Sequence, residues 1–108
     1  MSDTYGTYGF SEKEWRLMQQ LLASNANIDK ALLYGSRAKG TFKDFSDVDI
    51  ALVGVSLSRV DLFRLNSSFY DSTFPYEVDF SILSKLKNED LIDHISRRGV
   101  VIYEKNKH

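Results

Sequence analysis

Apolar residues recur in this chain with two rhythms, one helical and one alternating, and the switches between them mark out its elements. Ser11 to Ser24 reads as a helix: Ser11 and Glu14 form a capping-box pair, and Phe10 and Trp15 occupy the hydrophobic-staple positions. Trp15, Met18, Leu21 and Leu22 then make one apolar stripe. Ala31-Leu32-Leu33-Tyr34 is a short buried strand ended by Gly35. Val48 to Val53 is a second strand, with Val48, Ile50 and Leu52 opposite Asp47, Asp49 and Ala51. Ser58 to Asp71 is another helix, started by a Ser58–Asp61 cap pair and carrying Leu62, Leu65 and Phe69 at helical spacing. After Pro75, Tyr76, Val78, Phe80 and Ile82 alternate with Glu77, Asp79 and Ser81 in a third strand. Asn88 caps a third helix bearing Leu91, Ile92 and Ile95, stopped by Gly99, and Val100 to Tyr103 is a last strand.

The resulting order, α-β-β-α-β-α-β, predicts an α/β (α+β) fold with helices packed on a small mixed sheet. All 108 residues form one domain on this reading, with residues 1–9, which hold the repeat Thr4-Tyr5-Gly6 and Thr7-Tyr8-Gly9, as a flexible arm. Residues 104–108 are expected to fray. The net charge of −1 supplies no global basic field, which argues against nucleic acid as a partner. There is no cysteine, so disulfides and thiolate metal sites are excluded, which fits a cytoplasmic protein. No apolar run approaches the roughly 20 residues that span a bilayer, so no membrane role is expected.

The candidate chemistry is concentrated between Gly35 and Asp49. A Gly35-Ser36 turn follows one apolar run, and Asp47 and Asp49 open the next. Along an extended strand these two carboxylates share a face, about 6–7 Å apart. A divalent ion with a triphosphate is the natural positive partner, since Mg²⁺ prefers one or two carboxylates plus phosphate oxygens. An EF-hand loop begun at Asp44 or Asp47 lacks the Gly and Glu it requires. A haloacid-dehalogenase phosphatase places its D-x-D at the end of an apolar strand, whereas here the apolar run follows. Gly35 and Ser36 could bring backbone amides to phosphates. Arg37, Lys39 and Lys43 add positive charge, although Arg37 and Lys43 read almost as well as a solvated basic turn. His94 and His108 lie away from this segment, so the site is all-oxygen, suited to Mg²⁺ or Mn²⁺ rather than zinc.

Gly-Ser, a basic stretch, Asp-x-Asp and a later strand-borne Asp resemble the signature of the DNA polymerase beta-like nucleotidyltransferases. The fifteen residues from Gly35 to Asp49 are most similar to the minimal nucleotidyltransferases of bacteria and archaea. The resemblance runs from about Trp15 to Tyr103. It implies that Asp47 and Asp49 bind two Mg²⁺ ions, and that Asp79 binds one of them and helps deprotonate an acceptor hydroxyl, with Glu77 as the second choice for that third carboxylate. It further implies that Gly35, Ser36, Arg37 and Lys39 bind the nucleotide, ATP or another NTP. The expected function is transfer of AMP to a hydroxyl. The acceptor expected is a tyrosine on a small helical HEPN-type partner encoded nearby, in a toxin–antitoxin pair; a homodimer is the other way to complete so small a site. The alternative is a catalytically weak nucleotide-binding or toxin-masking subunit.

Overall fold

The computed structural model describes residues 4–41, 43 and 46–105. In chain order its elements are α1 (Thr4–Thr7), α2 (Glu12–Ala23), β1 (Lys30–Tyr34), α3 (Ser36–Lys39), β2 (Val48–Val53), α4 (Arg59–Tyr70), β3 (Val78–Ile82), a 3₁₀ turn (Leu83–Lys85), α5 (Glu89–Arg98) and β4 (Val100–Glu104). The sheet order is β3-β2-β1-β4. β1 runs antiparallel to β2 and β4, and β3 runs parallel to β2. A parallel pair cannot be closed by a tight turn, and α4 is the crossover between its strands. The α/β class and the mixed sheet are as the alternation of apolar positions implied.

Each face of the sheet is covered. On one, Leu33, Val48, Ile50, Leu52, Phe80, Ile82 and Ile102 pack with Met18 and Leu22 of α2 and Leu65 and Phe69 of α4. On the other, Tyr34 and Ala51 pack with Ile95 of α5, beside Leu32, Leu83, Leu86 and Leu91. Burial of a large aliphatic or aromatic side chain contributes about 1.5–3 kcal/mol, so the first and larger cluster dominates the fold's stability. The second is small and stops at Tyr34, which leaves that end of its face to polar groups.

Local signals hold where expected. Ser11 Oγ accepts from the Glu14 amide at 3.1 Å while Glu14 Oε1 accepts from the Ser11 amide at 2.9 Å. Phe10 and Trp15 have ring centroids 6.3 Å apart, as the staple requires. Asn88 Oδ1 accepts from the Leu91 amide, and the Ser58 amide donates to Asp61.

Both ends differ from expectation. Thr4–Thr7 is a helical turn rather than part of a loose arm, and the carbonyls of Tyr8 and Gly9 accept hydrogen bonds from Arg37. At the other end Glu104 belongs to β4, and Lys105 donates through its amide to Asp29 and through its ammonium to Ala26, so neither frays. Residues 1–3 of the expected arm, 106–108 of the expected tail, and Phe42, Asp44 and Phe45 lie outside the described residues.

Candidate functional site

The site is built where β1, β2 and β3 meet at one end of the sheet. β1 ends at Tyr34, which is paired with Asp49. On the other side of β2, the parallel register places Asp49 directly beside Asp79, so these two carboxylates project from the same face of neighbouring strands, which lie about 4.8 Å apart. Asp47 is exposed, one residue ahead of β2. The Val48 amide extends the ladder by donating to the Glu77 carbonyl at 2.8 Å. Glu77 is therefore fixed through its backbone at the mouth of β3, while the Asp79 carboxylate lies next to Asp49.

Gly35 carries the chain across this cluster. Its φ of +79° and ψ of −155° fall in a region that is essentially restricted to glycine. A Cβ at this position would collide with Asp49 Oδ2 and come within 3.2 Å of Asp49 Cγ. The turn then enters α3 with Ser36, whose start leaves backbone N–H groups without intrahelical partners. Lys39 is exposed on α3, and Lys43 is exposed beyond it.

Arg37 departs from the expectation that placed it on the nucleotide. It is only 1% exposed, and its guanidinium is turned inward to backbone carbonyls and aromatic rings. The side chain follows the buried face of the α3 turn, so Lys39, not Arg37, is the basic residue of the pair that reaches the surface.

The electrostatics are those of a cluster short of positive charge. Burial raises the Asp49 carboxyl above its ordinary range, and repulsion from Asp79 and then Asp47 raises it further. Burial likewise raises the Tyr34 phenol, with Asp49 and Asp79 adding to the shift. The Ser81 hydroxyl near that phenol pulls the other way, more strongly than either carboxylate pushes, although Ser81 Oγ is buried without a partner at good hydrogen-bond geometry. Tyr34 and Ser81 are wall residues that the motif did not announce. Their signal was strand parity: Tyr34 ends the run before Gly35, and Ser81 shares the face of Asp79.

A raised carboxyl binds its proton more readily in the folded state. Ionised Asp49 therefore costs stability above its folded pKa, and that cost is relieved as pH falls through it. Asp49→Asn is expected to melt at the same temperature as wild type or higher at neutral pH without metal, and this advantage should shrink in mild acid. Thermal melts in EDTA at the two pH values check this; a large loss of melting temperature would mark Asp49 as a structural residue instead.

Residues 17–108 match the family described as Polymerase beta, Nucleotidyltransferase. The chain belongs to that family. Its sequence is 36% identical over 75 residues to the Probable protein adenylyltransferase MntA of Haemophilus influenzae, an alignment covering 68% of this chain and 65% of that protein. The chain thus spans just under two thirds of that relative's length. Several solved structures share its fold, two of which illustrate it. One is a toxin–antitoxin with AMP-PNP, with a TM-score of 0.69 at 22% identity over 85% of this chain and 74% of that one. The other is a tri-AMPylated Shewanella oneidensis HEPN toxin in complex with MNT antitoxin, with a TM-score of 0.65 at 18% identity over 87% and 72%.

Nucleotidyltransferases of this superfamily generally use divalent metals, and the donor set here fits such ions. Asp49 and Asp79 are hard oxygen donors side by side on the sheet with Asp47 just ahead of β2, and burial followed by repulsion from Asp79 and Asp47 raises the Asp49 carboxyl. They are not a preassembled cage: among the described residues, no three acidic or imidazole side chains close into a ligand cluster. That openness suits Mg²⁺, which keeps waters and takes substrate phosphate oxygens as ligands. Among the described residues no helix is long and apolar enough to cross a membrane.

Proposed function

We propose that this nucleotidyltransferase moves AMP from ATP to a hydroxyl on a protein partner, a tyrosine of a HEPN-type toxin, and so acts as the antitoxin of the pair. The observation that carries the reading is the in-register pairing of Asp49 with Asp79 beneath the Gly35-Ser36 turn. Asp47 and Asp49 would hold two Mg²⁺ ions and Asp79 one of them, with Gly35, Ser36 and Lys39 around the triphosphate. Bound ions would neutralise phosphate charge and stabilise the attacking and leaving oxygens.

In the transfer, the acceptor oxygen forms a bond to the α-phosphorus as the bond from that phosphorus to the bridging oxygen breaks. Pyrophosphate leaves, and the acceptor proton passes to the Asp79 carboxylate. Asp79 is exposed, so an acceptor on another protein can approach it. Phe63 and Tyr70 of α4 are 72% and 89% exposed, and with Tyr76 and Glu77 they line an open groove leading to the start of β3. Such apolar surface beside a site supports docking of a partner there. The cysteine-free chain supports a cytoplasmic setting.

The test is co-expression with the neighbouring reading frame, purification of the complex, and incubation with ATP labelled in the α-phosphate. Label is expected on a partner tyrosine with Mg²⁺ and not with EDTA. Equal labelling in EDTA would remove the metal from the mechanism. A stable complex without labelling would leave a toxin-masking subunit. A monomer that labels a small-molecule hydroxyl would refute the partner.

A further inference from the structure

We infer that Arg37 is a positioning residue that locks the N-terminal segment Tyr8–Phe10 to the carboxylate-bearing loop, making that segment part of the site's construction. The guanidinium reaches three parts of the chain at once. Its Nε and Nη2 donate to the Ser46 carbonyl at 3.1 and 2.9 Å, and Ser46 is the residue immediately before Asp47. Nη1 donates to the carbonyls of Tyr8 at 2.9 Å and Gly9 at 3.3 Å. The planar group also lies over two rings, 4.9 Å from the centroid of Phe10 and 4.2 Å from that of Tyr76.

Each contact bears on a different wall of the site. Arg37 is two residues after Gly35, so its own backbone belongs to the turn over Asp49. The fork on Ser46 sets where Asp47 enters β2. Tyr76 is three residues before Asp79, and its hydroxyl donates to Glu14 Oε1 at 3.3 Å on α2. A planar fork of donors can serve these carbonyls and stack at the same time, which a lysine ammonium cannot. A buried charge bound to backbone carbonyls is also costly to leave half-satisfied, so loss of the Tyr8 and Gly9 carbonyls should loosen the grip on Ser46.

This inference rests on the transferase reading, and its test separates the two. Wild type, a deletion of residues 2–9, Arg37→Met, Arg37→Lys and the deletion combined with Arg37→Met are compared by urea unfolding and by AMP transfer. A positioning role predicts that the deletion and Arg37→Met each lower kcat at least about tenfold while KM for ATP stays within about threefold. The combined variant should match Arg37→Met in kcat and lose less unfolding midpoint than the two single losses added together, because both changes break the same Tyr8 and Gly9 carbonyl contacts while only the deletion removes Tyr8 from the core. Arg37→Lys should recover less than half of the loss. A deletion with wild-type kcat, additive effects in the combined variant, or an Arg37→Met whose only defect is a raised KM would each overturn it. If Arg37→Met does not fold, the deletion alone decides. If wild type transfers nothing, the transferase reading fails, and the unfolding coupling still decides the lock.

Discussion

Asp79→Asn slows AMP transfer roughly 100- to 1000-fold, equivalent to about 3–4 kcal/mol of transition-state stabilisation, while leaving ATP binding near wild type. The expectation follows from what the side chain can do and what the amide cannot. Asp79 stands beside Asp49 in the parallel register and is exposed to an incoming hydroxyl. An amide of the same shape keeps the strand and its neighbours, but it neither accepts the acceptor proton nor offers a charged oxygen to a cation. The proposed docking of the triphosphate at Gly35-Ser36 would be untouched, so the loss should appear in kcat with little change in KM. The control is Glu77→Gln. Glu77 is held through its carbonyl one residue ahead of β3, outside the Asp49–Asp79 pair. Single-turnover transfer of labelled AMP measures both. Normal transfer by Asp79→Asn with none by Glu77→Gln would move the third carboxylate two residues upstream.

Gly35→Ala is expected to reduce transfer at least about 100-fold, the scale of a 1 Å misplacement of catalytic groups. Two effects coincide at this residue. The backbone conformation strains any side chain by about 1–3 kcal/mol, which in a domain of this size lowers the melting temperature by roughly 4–8 °C per kcal/mol. The new Cβ also occupies the space of Asp49 Oδ2, so either the carboxylate or the turn must move. Gly40→Ala separates the effects. Gly40 also has a φ of +79°, but a Cβ there meets nothing within 4 Å. It should lose stability and keep transfer. Melting curves and transfer rates for the two variants side by side provide the check, and an active Gly35→Ala would mean that the turn does not seat the triphosphate.

How much of this was legible beforehand differs from element to element. The capping box at Ser11, the strand from Val48 to Val53 and the Asn88 cap depend on residues within a few positions of one another, and each forms where local chemistry indicated. The expected shared face of Asp47 and Asp49 rests on the same kind of local rule, since side-chain alternation is a property of any extended strand, although β2 itself begins only at Val48. Glycine at 35 could be read as a turn, but its reason could not, because the obstacle is an Asp49 carboxylate fourteen residues away. Arg37 shows the limit most clearly. Beside Lys39 in a short basic stretch it reads as a surface cation. Its burial depends on carbonyls of residues 8, 9 and 46 and on the rings of Phe10 and Tyr76, which only the folded chain brings together. The same lock explains why the Thr-Tyr-Gly repeat does not end as a loose arm. Local sequence thus determined the elements, their caps and the polarity of each strand face. The tertiary structure decided the strand order, the parallel register that sets Asp49 beside Asp79, and the inward turn of Arg37, because each depends on contacts between segments far apart in the chain.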